Sequence, residues 1–228
     1  MVLAVTALAG CDSEATEDKQ YSGELRALPV DDNAELSANV GCTGFEMPQL
    51  MVPNFSSIEV FMFSLQPDAF ALTSATGGLL APFPSTIDTF DEPEISEGAF
   101  VGTKVLDRCG NLIGFGSEQQ LLDTQTALAD TTYTLTLPDR GTMLASQEEN
   151  FAPIFGEIND MVATQEFVRS YSPPLTVVTT SFGSGELLGG TGEFADQKGF
   201  MIEINFISEI NLLDGSADIL DVLLVGYE

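Results

Sequence analysis

From Ser57 onward, short β-branched and aromatic runs alternate with Gly, Asp and Pro, the punctuation of strands joined by tight turns. The pattern predicts strands over 58–65, 99–106, 113–122, 131–137, 142–148, 176–182, 186–188, 200–207 and 219–227. Asp107-Arg108-Cys109-Gly110-Asn111 and Pro138-Asp139-Arg140-Gly141 read as hairpin turns, each with glycine where positive φ is needed. Consecutive hairpins give an antiparallel meander, and closing it into a barrel removes its exposed edges. Two stretches break the strand period. Residues 67–97, rich in proline, predict a long loop, and 151–172 predicts an insertion with a short helix around 154–169, ended by Pro173-Pro174.

Alternation also assigns faces. Over 200–207, Phe200, Ile202, Ile204 and Phe206 share one face, the expected lining of the lumen, while Met201, Glu203, Asn205 and Ile207 share the other. In the last strand Leu220, Val222, Leu224 and Gly226 oppose Ile219, Asp221, Leu223, Val225 and Tyr227. The second set is too apolar for free exposure, which implies cover by the 151–172 insertion or by a second subunit. Sixteen phenylalanines against four tyrosines suit a lumen that holds a small hydrophobic molecule. A core filled by its own side chains is the alternative.

The N-terminal part reads differently. Met1 to Gly10 is an uncharged apolar run, too short for a helix across about 30 Å of hydrocarbon. It stops at Leu8-Ala9-Gly10-Cys11, which resembles the lipobox of bacterial lipoproteins, where the cysteine is acylated and becomes the mature N-terminus. Cys11 is the expected lipid anchor. No Lys or Arg precedes Lys19, so the usual basic region is absent, and the natural start is expected further upstream. Residues 12–40 are polar and acidic without sustained period, as in a disordered tether. The domains expected are thus 1–11 as signal remnant and lipobox, 12–40 as tether and 41–228 as the β-domain. The address implied is the cell envelope, on its periplasmic or surface side. A disulfide between Cys42 and Cys109 is permitted there. It would add roughly 4 kcal/mol in the chain-entropy model, with two separate thiols as the alternative.

Composition removes several kinds of chemistry. The 228 residues contain no His, so neither a Ser-His-Asp triad nor His-ligated zinc can form. A formal charge of −28 repels phosphate backbones and argues against nucleic acid. Two acidic clusters, Asp88/Asp91/Glu92/Glu94 and Asp214/Asp218/Asp221, lack EF-hand spacing. They read as solvated loops rather than calcium sites, so no metal and no cofactor is expected.

The run Leu188-Gly189-Gly190-Thr191-Gly192-Glu193-Phe194-Ala195-Asp196-Gln197-Lys198-Gly199 resembles the Gly-Gly-Thr-Gly-x-Phe-Ala-Gly-Ala-x-Gly signature of the allene oxide cyclase and dirigent β-barrel superfamily. Asp196 and Gln197 depart from it. Gly102-Thr103-Lys104-Val105-Leu106-Asp107 with Gly110-Asn111-Leu112-Ile113-Gly114 is similar to that family's early hairpin, and Thr132 to Leu137 with Gly141-Thr142 to its middle one. The resemblance covers about 57–228 and implies an all-β, closed antiparallel barrel of about eight strands. It also implies a homo-oligomer. Two functions are then expected. The first, from the lipobox and the apolar lumen, is a lipid-anchored, non-catalytic barrel that binds a small hydrophobic ligand or partner. The alternative is a cyclase or isomerase acting in the lumen, so whether the chain is an enzyme stays open. Glu59 is the expected catalytic acid, on the face of Phe61 and Phe63, which with Tyr133 join the ligand-lining set. Glu118 is a weaker acid candidate.

Overall fold

A computed structural model describes residues 57–65, 98–228 and, for the backbone only, 69–73. They belong to one compact unit, Leu36–Glu228. Cys11, Cys42, the tether and the first acidic cluster lie outside the described residues. Among the described residues are ten strands: β1 (Ser57–Ser64), β2 (Ala69–Thr73), β3 (Gly98–Asp107), β4 (Leu112–Asp123), β5 (Leu128–Leu137), β6 (Gly141–Asn150), β7 (Val168–Val178), β8 (Glu186–Gly190), β9 (Gly199–Asn211) and β10 (Ser216–Tyr227). One α-helix, α1 (Ala152–Thr164), follows β6. No helix among them is long and apolar enough to cross a membrane.

All pairings are antiparallel. The hairpins β3 to β6 form the predicted meander, β9 pairs with β10 over its whole length, and β1 lies on β10. The ring closes where β1 meets β3, with Phe61 opposite Asp107 and Met62 opposite Leu106. Between β6 and β9 one position is shared. There β8 pairs with β6 and with the start of β9, while β7 covers the far half of β9. The result is a closed eight-stranded barrel, with β2 as an extra strand laid on β3.

The helix is shorter than the pattern suggests. It stops because Gln165 turns left-handed at φ 59° and donates its N–H to the carbonyls of Met161 and Val162. Pro173-Pro174 therefore does not end a helix. It sits inside β7, where the register on β9 shifts between Ser170 and Leu175 and the missing N–H groups interrupt no regular ladder. In the segment read as one long loop, β2 forms a short strand, and the rest of it lies outside the described residues.

Three layers fill the interior along the strand direction. At the end where β5 turns into β6, Phe61, Leu135, Met143, Leu187, Phe194 and Leu223 make an apolar layer. At the opposite end Ile154 and Met161 of α1 pack on Val101, Ile207, Ile210 and Ile219, so the helix plugs the barrel. Between the two lies a polar layer.

The glycine run closes the first end. Gly192 has φ +60°, and a Cβ there would lie 2.2 Å from the Arg140 carbonyl oxygen. Only glycine lets the chain turn so close to the β5–β6 turn and drop Phe194, 1% exposed, into the barrel. Gly192→Ala is expected to destabilise the barrel by about 2 kcal/mol. A urea midpoint unchanged from wild type would contradict that.

Candidate functional site

The inward face of β9 is Met201, Glu203, Asn205 and Ile207, and that of β10 is Ile219, Asp221, Leu223 and Val225. This corrects the face read from alternation. Phe200, Ile202, Ile204 and Phe206 point away from the lumen. Ile202, Ile204 and Phe206 join Met62, Val222 and Leu224 in an apolar stripe across the outside of β1, β10 and β9. Phe200 lies over Gly226, where a Cβ would meet its ring. Both faces are apolar, and the polar residues of these strands turn inward because they meet one another there.

Four carboxyls converge in the polar layer: Glu118 of β4, Glu149 of β6, Glu203 of β9 and Asp221 of β10, all buried. Tyr133 of β5 stands among them. Its hydroxyl is 2.6 Å from Glu149 Oε1 and 2.7 Å from Glu203 Oε2. Gln147 Nε2 donates to the same two oxygens at 2.6 and 2.5 Å. Gln120 Nε2 and the Thr131 hydroxyl donate to Glu149 Oε2 at 2.6 and 2.8 Å, and Gln120 also reaches Glu118 Oε1. Asn205 Nδ2 donates to Glu203 Oε1 at 3.1 Å. Thr180 holds Gln147 in place, its hydroxyl donating to Gln147 Oε1 at 2.5 Å.

These donors are all neutral. Burial first, and then repulsion from Glu203, pushes the carboxyls of Glu118, Glu149 and Asp221 well above the usual carboxylate range. Burial and the surrounding carboxylates raise the Tyr133 phenol in the same direction. One phenolic proton cannot serve two carboxylates at once, so the short contacts around Tyr133 require a further proton or a cation. The arrangement is able to hold either. The space beside Glu118, Tyr133 and Asp221 is about 10 Å³, with Phe63 in its wall.

Of the sequence-predicted residues, Phe61, Phe63 and Tyr133 do face the lumen, and Glu118 sits in the polar layer. Glu59 follows the parity of Phe61 and Phe63 but lies at the mouth rather than in an apolar pocket. Arg140 grips it through both guanidinium NH₂ groups at 2.5 and 3.0 Å, and the Tyr227 hydroxyl donates to it at 2.8 Å. Arg140 also pairs with Glu193 and lies 5.0 Å over the Phe194 ring. The Asp214 carboxylate caps its own turn by accepting from Ser216, and Asp218 is exposed. Cys109, in the turn after β3, is disulfide-bonded. Glu149, Glu203, Gln147 and Thr131 were missed. The available signal was a charge set mid-strand between apolar neighbours, as Glu203 is between Ile202 and Ile204.

A second feature surrounds the Glu59–Arg140 pair. An open groove of about 710 Å³ runs between the β3–β4 and β5–β6 turns, walled by Leu112, Ile113, Phe115, Leu137 and Pro138. Leu112 and Phe115 are 63% and 61% exposed.

Fold and site together define a closed eight-stranded antiparallel barrel with carboxyls at its centre. No protein-family model matches the chain, and no curated protein matches it. Among solved structures it is similar to a nonspecific heme-binding cyclase that catalyses [4 + 2] cycloaddition during neoabyssomicin biosynthesis. The identity is 10% and the TM-score 0.38, over 75% of this chain and 65% of that one.

Proposed function

We propose that the chain is a lipid-anchored barrel of the cell envelope that binds a small hydrophobic molecule without transforming it, and that the molecule sits in the mouth groove. The observation carrying this is the contrast in room. The groove falls within the 300–1,000 Å³ or so typical of ligand sites, whereas the space beside Tyr133 is about 10 Å³. Exposed Leu112 and Phe115 supply apolar surface, and the Glu59–Arg140 pair supplies a polar end. The lipobox-like run ending at Cys11 and the acidic tether support the address. So does the disulfide at Cys109, since such bonds persist outside the reducing cytoplasm.

The second reading makes the same groove a cyclase or isomerase site, in keeping with the allene oxide cyclase and dirigent resemblance. It is favoured by Glu59 itself, which lines the groove as an acid beside Tyr227.

Nile red, a neutral apolar dye, tests the groove. Saturable binding is expected, and Leu112→Ser with Phe115→Ser should weaken it about tenfold, the effect of losing roughly 1.4 kcal/mol of apolar contact. Binding that ignores both substitutions would reject the site. In the same preparations wild type should partition into detergent and Cys11→Ser into water. Wild type in the aqueous phase would reject the anchor.

A further inference from the structure

We propose that the middle of the barrel is a binding site for one divalent cation of calcium's size, held by carboxylate oxygens of Glu118, Glu149, Glu203 and Asp221. The inference is independent of the groove at the mouth.

Spacing is the first argument. One oxygen each from Glu118, Glu149 and Glu203 lies within 4.8 Å of the others. Calcium takes about 6–8 oxygen ligands in flexible geometry, whereas magnesium keeps several of its waters and is seldom held in an all-protein cage, so a buried set of carboxylates suits calcium better. The donor set is oxygen only, which selects a hard cation.

The second argument is an orphan. Asp221 is 2% exposed, and its Oδ1 has no hydrogen-bond partner among the described residues. Buried polar atoms are nearly always satisfied, and one that is not asks for an explanation. Asp221 and Glu118 wall the same 10 Å³ space, which is about what one water-sized sphere occupies. A water there would satisfy the orphan but would bring no positive charge to the four acids.

The groups around the cluster are neutral. Glu149 Oε1 faces the Tyr133 hydroxyl and Gln147 Nε2, and its Oε2 faces Gln120 Nε2 and the Thr131 hydroxyl. The amide of Asn205 donates to Glu203 Oε1. A cation among the four carboxyls would supply positive charge that none of these partners brings. A formal charge of −28 also raises the local cation concentration.

Terbium(III), a luminescent substitute for calcium, tests the site on the full-length chain after chelator treatment. The chain contains no Trp, so tyrosine is the sensitiser, and Tyr133 stands in the site. The expected result is one Tb³⁺ per chain with tyrosine-sensitised emission, displaced by Ca²⁺ and at least tenfold less readily by Mg²⁺. Tyr133→Phe should remove most of the emission. Calorimetry should give one Ca²⁺ per wild-type chain, at least tenfold weaker binding in Glu203→Gln and Asp221→Asn, and unchanged binding in the turn variant Asp214→Asn. Absence of sensitised emission in wild type, which needs no variant to fold, would overturn the proposal. So would Ca²⁺ binding that survives both interior substitutions, and equal competition by Mg²⁺ would overturn the size assignment.

Discussion

Replacing Phe61 by alanine should destabilise the barrel by about 3–5 kcal/mol, the range for a buried aromatic truncated in a core. Its ring is fully buried in the apolar layer with Val105, Tyr133 and Leu223. Position adds to burial. Phe61 lies on the strand that closes the ring, and two residue pairs, Phe61 with Asp107 and Met62 with Leu106, join β1 to β3. A cavity at that seam has few ladder bonds to resist its spreading. For a domain of this size each kcal/mol moves the melting temperature by about 2–4 °C, so the expected drop is at least about 6 °C. Urea and thermal melts should agree. A loss below about 1 kcal/mol would mean that the interior does not close around this ring.

The hairpins were legible because their chemistry is local. Asp107 accepts from the backbone N–H groups of Cys109 and Asn111, and Gly110 takes φ +79°. The plug at Phe194 was legible for the same reason, since the glycines before it announce a tight turn. The lumenal face was not. Alternation places the polar residues of an antiparallel strand in water, and Glu203 and Asn205 satisfy that rule only if the face is reversed. What reverses it is long-range: Tyr133, Gln147 and Thr179 arrive from distant parts of the sequence and give those groups partners. One-residue parity then carries Met201 and Leu223 inward and Ile204 and Val222 outward. A site built from side chains of five strands leaves only isolated mid-strand charges in the sequence. Local rules fail where interior chemistry overrides them.

In chelator, the barrel should be more stable at pH 5 than at pH 8. The groups responsible are Glu118 on β4, Glu149 on β6 and Asp221 on β10. Glu203 on β9 and the Tyr133 phenol on β5 face them. Burial first, and then Glu203, raises the three carboxyls above the roughly 4 they have in the unfolded chain. A raised acid binds its proton more tightly when folded, so the native state holds more protons than the unfolded one across the window between the two pKa values. Stability therefore falls as pH rises from about 4 through that window, and the loss is complete once the folded pKa values are passed. Asp123 runs the other way. The backbone N–H of Gln125 and the Thr126 hydroxyl lower its carboxyl, so its contribution is lost only as pH falls below the ordinary carboxylate range. Repulsion across the acidic surface shares the sign of the interior effect, and a substitution separates them. Asp221→Asn should raise the melting temperature at pH 8 and flatten its slope, because it removes a buried carboxyl whose Oδ1 has no partner among the described residues. Asp214→Asn, in an exposed turn, should leave the slope as it is. Saturating Ca²⁺ should restore wild type at pH 8, where the carboxylates are free to bind it, and do little at pH 5, where protons compete. Equal slopes for wild type and Asp221→Asn would place the pH dependence on the surface and remove the interior carboxyls as its cause.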